Sequence, residues 1–146
     1  MIIFSLELKS HVKEIDEQHQ WLFDLINAFD SVGKGIHSDD EIEEMLTGLN
    51  EYVAEHFTYE EGLMVESGYP DFDWHHNWHR GYILKLERLK EEFILNGVSE
   101  EFDYILREFV EKWIVTHIRN VDTSLGTFIN EVRVSAQSSE VINNKD

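Results

Sequence analysis

Apolar residues recur at spacings of three and four along nearly the whole chain, and histidines fall on the same stripes. Ile15, Leu22, Leu25, Ile26 and Phe29 share one side of a helix, as do Met45, Leu49 and Tyr52, then Ile83, Leu86 and Phe93, then Leu106, Phe109 and Trp113. Period-two alternation bounded by turn residues is hard to find, so the pattern specifies an all-α chain. His19 lies four residues after Ile15 and three before Leu22, and His56 follows Tyr52 with Glu60 one turn later. His75 and His79 align with Phe72 and Ile83, and His117 extends the line through Trp113. Because residues three or four apart share a helix face, every helix aims at least one imidazole inward.

The punctuation divides the chain into four rods. A first helix runs from about Val12 to Ser31 and stops in Gly33-Lys34-Gly35; a second begins near Ser38-Asp39-Asp40-Glu41 and ends before Gly68-Tyr69-Pro70, which holds the only proline. A third starts at about Asp71 and ends at Asn96-Gly97, a C-terminal cap, and a fourth opens at Ser99-Glu100-Glu101. After Asn120 a short last helix carries Leu125, Phe128 and Ile129. Similar lengths and short loops imply an antiparallel up-down-up-down four-helix bundle with a short C-terminal helix. Residues 1–132 are expected to form this one domain, and residues 133–146 a polar, disordered tail.

Composition narrows the chemistry. The 146 residues are enough for one core. There is no cysteine, which excludes disulfides, thiolate zinc sites and ordinary iron–sulfur clusters. Twelve basic against thirty acidic side chains give a net charge of −18, which repels phosphate backbones and anionic lipid. No apolar run reaches membrane-spanning length and the start lacks a signal-peptide pattern. The expectation is a cytoplasmic protein that binds neither nucleic acid nor membrane.

Burying five imidazoles and a carboxylate costs about a few kcal/mol per unpartnered group. A metal centre supplies all the partners together. Nitrogen-rich, thiol-free ligation with carboxylate suits iron, zinc, copper or manganese. Five histidines exceed what one metal takes with a position left open, so two metals and a second, bridging carboxylate are expected. Asp122 is the candidate, although an offset of five from His117 turns it about 140° away on a straight helix. For both to ligate, the backbone must break or overwind between Thr116 and Asp122.

Each residue also has a simpler reading. His76 lies about 100° round from His75 and is expected to face water; His11 and His37, in or beside loops, are expected to be solvated too. A lone His19 reads as a core histidine, Glu60 beside Glu61 as a solvated acidic face, and Asp122 before Thr123-Ser124 as a helix cap. Trp74, Trp78 and Trp113 read as packing. Together these readings require five separate polar burials with no shared cause, which favours the metal.

These residues resemble the hemerythrin family in its single-domain bacterial form, over about Phe4 to Glu131. The resemblance rests on IDEQHQWLFDLIN around His19, on Tyr52-Val53-Ala54-Glu55-His56-Phe57 with Glu60 and Glu61, and on Gly68-Tyr69-Pro70. His75-x3-His79 and Trp113-x3-His117-x4-Asp122 complete it in order. It implies two non-haem iron ions, one held by His75, His79 and His117 and the other by His19 and His56. Glu60 and Asp122 would bridge them beside an oxo or hydroxo group. The iron with two histidines would keep an open position for dioxygen, and Phe57, Trp113, Ile114 and Ile118 would line that pocket. Two carboxylates and one hydroxide donate less negative charge than carboxylate-rich di-iron oxygenases do, which favours reversible binding over oxygen activation. The family commonly has tryptophan where this chain has Phe4, and glycine where it has His11.

The function expected is reversible dioxygen binding for storage, delivery or buffering, without catalytic turnover. The alternatives are an oxygen or redox sensor acting through a protein partner, peroxide or nitric oxide chemistry at the same irons, and a protein that responds to iron itself.

Overall fold

The computed structural model describes residues 8–30 and 35–143. Phe4, Ser31, Gly33, Lys34 and residues 144–146 lie outside the described residues. The first helix spans Lys13–Asp30 and the third Phe72–Asn96. The second occupies residues 39–67 as three continuous pieces, Asp39–Tyr52, Val53–Phe57 and Thr58–Ser67. The fourth occupies residues 100–143 without a break. They form the antiparallel bundle that the periodicity and short loops specify.

Local chemistry fixes the ends of these rods. Ser38 Oγ accepts from the Glu41 N–H at 3.2 Å while the Ser38 N–H donates to Glu41 Oε2 at 2.9 Å, so two otherwise orphaned donors are satisfied reciprocally. Ser99 Oγ accepts from the Phe102 N–H at 3.0 Å and opens the fourth helix. Gly68 ends the second with φ 69°, which lets the Tyr69 N–H donate back to the Met64 carbonyl at 2.9 Å.

Two apolar clusters fill the interior, with a polar layer between them. The larger includes Leu22, Ile26, Leu49, Tyr82, Leu106 and Ile114; the smaller joins Val12, Ile15, Met64, Tyr69, Leu125 and Ile129. On every helix the histidines fall between residues of the two clusters. Ile15 and Leu22 flank His19, Tyr52 and Met64 flank His56 and Glu60, and Ile114 and Leu125 flank His117 and Asp122.

Three details depart from the sequence reading. The fourth helix neither breaks nor overwinds between Thr116 and Asp122; it widens into a π-helical turn over Ile118–Asp122. The last helix continues to Asn143, well beyond Arg133, with residues 131–138 exposed. No glycine or proline follows Gly126, so an already nucleated helix propagates at little cost. His37, expected to be solvated, is buried. Its ring stacks on Phe29 with centroids 3.7 Å apart, its Nδ1 lies 2.6 Å from Asp103 Oδ1, and its Nε2 lies 2.8 Å from the Phe29 carbonyl. Arg107 Nε donates to the other oxygen of Asp103 at 2.7 Å. His37 is therefore drawn inward because it finds partners on the first and fourth helices.

His11 is exposed, as expected, at φ 63°, a left-handed conformation that glycine adopts at less cost. Asp16 anchors this approach: its Oδ1 accepts from both the N–H and the Oγ of Ser10 at 2.8 Å. Gly126 makes the packing possible, since a Cβ there would sit 2.1 Å from the Ser10 carbonyl oxygen. Gly126→Ala should therefore destabilise the protein by about 1–3 kcal/mol, read as a lower midpoint in denaturant at unchanged slope.

Candidate metal centre

His19, His56, Glu60, His75, His79, His117 and Asp122 meet in the polar layer, none more than 1% exposed. They form two groups whose candidate ligand atoms lie within 4.8 Å of one another: His75, His79 and His117 with Glu60 and Asp122, and His19 and His56 with the same two carboxylates. Among the described residues no other group of this kind occurs. His76 and His11 belong to neither.

The carboxylates divide their oxygens between the groups. Asp122 Oδ1 lies 2.9 Å from His117 Nε2 and 3.1 Å from His75 Nε2, while Oδ2 lies 2.8 Å from His19 Nε2. Glu60 Oε1 lies 2.6 Å from His56 Nε2 and Oε2 lies 3.3 Å from His75 Nε2. The Nε2 atoms of His19 and His56 approach each other to 3.2 Å.

The π turns make this convergence possible. A π turn bonds residue i to i+5, so Asp122 returns to the face of His117. Another, at Val53–Phe57, brings Tyr52 and Phe57 together with ring centroids 5.7 Å apart, and places His56 inside the turn.

His19 Nε2 shares hydrogen bonds with Asp122 Oδ2 and His56 Nε2, but most of the other close approaches lack hydrogen-bond geometry. Both oxygens of Glu60, Oδ1 of Asp122 and the Nε2 atoms of His75, His79 and His117 are buried without a hydrogen-bond partner. Such groups cost about 1–3 kcal/mol each when unpaired, yet all turn toward shared interior points. A nitrogen and carboxylate donor set with this convergence fits divalent transition metal, and the two overlapping groups fit two ions.

Outer contacts orient the rings. Gln18 Oε1 accepts from His56 Nδ1, and Glu61 Oε1 lies 3.2 Å from His79 Nδ1 and 2.5 Å from His76 Nδ1. Phe57 stacks on His79 at 3.8 Å, Trp113 on His117 at 5.1 Å and Tyr52 on His56 at 4.7 Å. Ile114 and Ile118 are buried in the same apolar cluster as Phe57 and Tyr52. Gln18, Glu61 and Tyr82 were not singled out from sequence as site residues. Glu61 sits next to a candidate ligand, and Tyr82 follows His79 by three, the same spacing that revealed the histidines.

Without metal the charges must settle among themselves. Burial pulls the His56 imidazole down, but the charge and close approach of Glu60, with Asp122 nearby, outweigh it and push it up to about 9. Burial likewise opposes protonation of His75, and the close approach of the Asp122 and Glu60 carboxylates with their charges pushes it up to about 10. Burial raises Glu60 and Asp122, yet their imidazole neighbours hold both well below the ordinary carboxylate range. His117 is pulled down by burial, which Asp122 offsets only in part.

The chain is similar to known proteins in both sequence and fold. A family model for the hemerythrin HHE cation binding domain matches residues 10–129. The bacteriohemerythrin of Methylococcus capsulatus is 33% identical over 121 residues, covering 82% of this chain and 89% of that one. The bacteriohemerythrin of Pseudomonas paraeruginosa is 26% identical over 144 residues, covering 99% and 88%. A wild-type hemerythrin crystal structure superposes with a TM-score of 0.72 at 30% identity, covering 88% of this chain and 97% of its own. This chain belongs to the hemerythrin family.

Two outcomes test the candidate ligands. His117→Ala should abolish stoichiometric metal binding, whereas His76→Ala should retain it, both measured by metal analysis after reconstitution. The pH dependence of the metal-free and loaded proteins should run in opposite directions. His56 and His75 have folded values above the ordinary 6.5, so they stabilise the metal-free fold below that pH. The contribution is lost as pH rises through about 9 and 10. Metal must displace the same protons, so affinity rises over this window. Denaturation of chelator-treated protein and metal titrations across the range measure the two trends.

Proposed function

We propose that the chain binds dioxygen reversibly at a non-haem di-iron centre and serves in oxygen storage, delivery or buffering, without catalytic turnover. The observation that carries this reading is the overlap of the two ligand groups at Glu60 and Asp122. His75, His79 and His117 would hold one iron, His19 and His56 the other, and the two carboxylates would span both with an oxo or hydroxo bridge. When bound, two ferrous ions supply the electrons that oxygen binding draws on.

The chain's own residues account for reversibility. Five imidazoles add no negative charge, and the two carboxylates neutralise half the charge of two ferrous ions. This donor set supports high-valent iron poorly. Phe57, Ile114 and Ile118, with partly buried Trp113, present carbon to the cluster. They exclude the water that would deliver a proton to a bound ligand. Gln18 and Glu61 hold the His56 and His79 rings by Nδ1, leaving Nε2 to face inward.

One observation favours a second reading. Tyr82 is fully buried beside Phe57 and Trp113, with ring centroids at 5.3 and 4.7 Å, and its hydroxyl has no hydrogen-bond partner. Burial holds its proton on. A phenol here offers a hydrogen bond, not a readily lost proton, and such a polar group would favour peroxide or nitric oxide chemistry over simple oxygen binding. It is absent from the lining that the resemblance implies.

Metal analysis coupled to an anaerobic-to-aerobic visible spectrum of the reduced protein tests the first reading. Two irons per chain and a band that appears with oxygen and vanishes on its removal are expected; two irons without a reversible band would overturn it. Tyr82→Phe should keep metal content and reversible oxygen binding, and should change stability by no more than about 1 kcal/mol. Turnover of peroxide or nitric oxide that disappears in this variant would establish the second reading instead.

A further inference from the structure

Between the first and second helices lies a crevice of about 380 Å³ whose lining includes Trp21 and Tyr52 and reaches His56. These three rings form a stacked column. Trp21 lies over Tyr52 with centroids 6.4 Å apart and planes 14° from parallel, and Tyr52 lies over His56 at 4.7 Å and 19°. The column runs from solvent to the centre, since Trp21 is 43% exposed, Tyr52 3% and His56 1%. Gln18 fixes the inner end through His56 Nδ1.

The rim of the crevice is acidic. Glu14, Glu17 and Glu55 line it and are all exposed. Lys13 sits 3.8 Å from Glu17, and the charge of Arg133 acts on Tyr59, another lining residue. These offset part of the rim charge, on a chain whose net charge is −18. A second aromatic run, Trp78 to Trp113 to His117, reaches the centre from another side, with rings at 5.7 and 5.1 Å. Its groove carries Lys85 and Lys112, the latter 2.6 Å from Glu108. Only the first column therefore combines an exposed aromatic ring with a rim of unlike sign to a cation.

We propose that the crevice docks a positively charged one-electron carrier and that the Trp21–Tyr52–His56 column is the path its electron takes to the metal centre. The inference rests on the di-iron reading. A ferric ion has no electron to give oxygen, so a centre oxidised at both irons needs one electron returned to each before it can bind oxygen again. At each encounter the reduced carrier loses one electron and one ferric ion gains it; no bond to Trp21 or Tyr52 forms or breaks. Tunnelling falls off exponentially with distance, and rings in contact shorten the gap between the surface and His56. Charge of opposite sign on the rim raises the encounter rate at low salt and loses that effect as salt screens it.

The test uses the full-length, iron-loaded, oxidised protein, with hexaammineruthenium(II) as the cationic reductant and the iron(II)–EDTA anion as the contrast. Expected is faster reduction by the cation, a preference lost when Glu14, Glu17 and Glu55 are all changed to Gln, with a rate drop of about tenfold or more at low salt. Trp21→Leu should slow cationic reduction several-fold and Trp21→Phe should restore it. A readout independent of iron comes from hexaamminecobalt(III) added to the metal-free protein, which should shift the Trp21 indole N–H resonance and leave that of Trp113 in place. Two irons per chain with unchanged rates in the Gln and Leu variants would overturn the proposal. Fewer than two irons in the unmodified protein would overturn the di-iron reading and the electron path together, even where the cobalt complex still binds at Trp21.

Discussion

Two buried carboxylates with no hydrogen-bond partners for most of their oxygens set the terms for the whole interior. The imidazoles around Glu60 and Asp122 offset their charge but leave three of the four carboxylate oxygens without a hydrogen bond. Moving an isolated carboxylate out of water is among the costliest events in folding, so cations at the points where these groups converge would relieve the largest cost in the interior. The apolar clusters on either side can then close without water between them. This makes the polar layer a structural component as well as a candidate binding site, since the four helices are joined across it by side chains from all of them.

Meeting that demand required departures from regular helix. His117 and Asp122 are both needed on one face, and their spacing of five is accommodated by widening the fourth helix locally. A similar turn in the second helix lets Tyr52 and Phe57 flank His56 and His79 as stacked walls. Each widened turn costs some hydrogen-bond quality. What it returns is a set of imidazoles whose orientation is fixed by aromatic faces on one side and by Gln18 or Glu61 at Nδ1 on the other.

The surroundings of the layer are unequal. Toward Phe57, Trp113, Ile114 and Ile118 the wall is carbon, with the Tyr82 hydroxyl as an isolated polar atom. Toward Trp21 the same layer meets an acidic crevice through stacked rings. A centre that keeps water from a bound ligand on one side and accepts electrons from a cationic carrier on the other would have both properties from packing alone. Nothing in the scheme requires a moving part.

Much of this was legible in the chain itself. The recurrence of apolar residues at three and four determined the helices, the glycines and serines at their ends determined where they stop, and the placement of His19, His56, His75, His79 and His117 on those stripes determined that imidazoles face inward. These are local properties, fixed by helix geometry and the cost of leaving polar groups unpaired. Tertiary structure decided the rest, because it depends on which elements meet. It chose π widening over a break at Asp122 and buried His37 against Asp103. It also joined Gln18 to His56 and Glu61 to His79, and aligned Trp21 with Tyr52. No spacing within one helix encodes these contacts, since each is set by the distance and angle between two helices or between a loop and the helices it crosses.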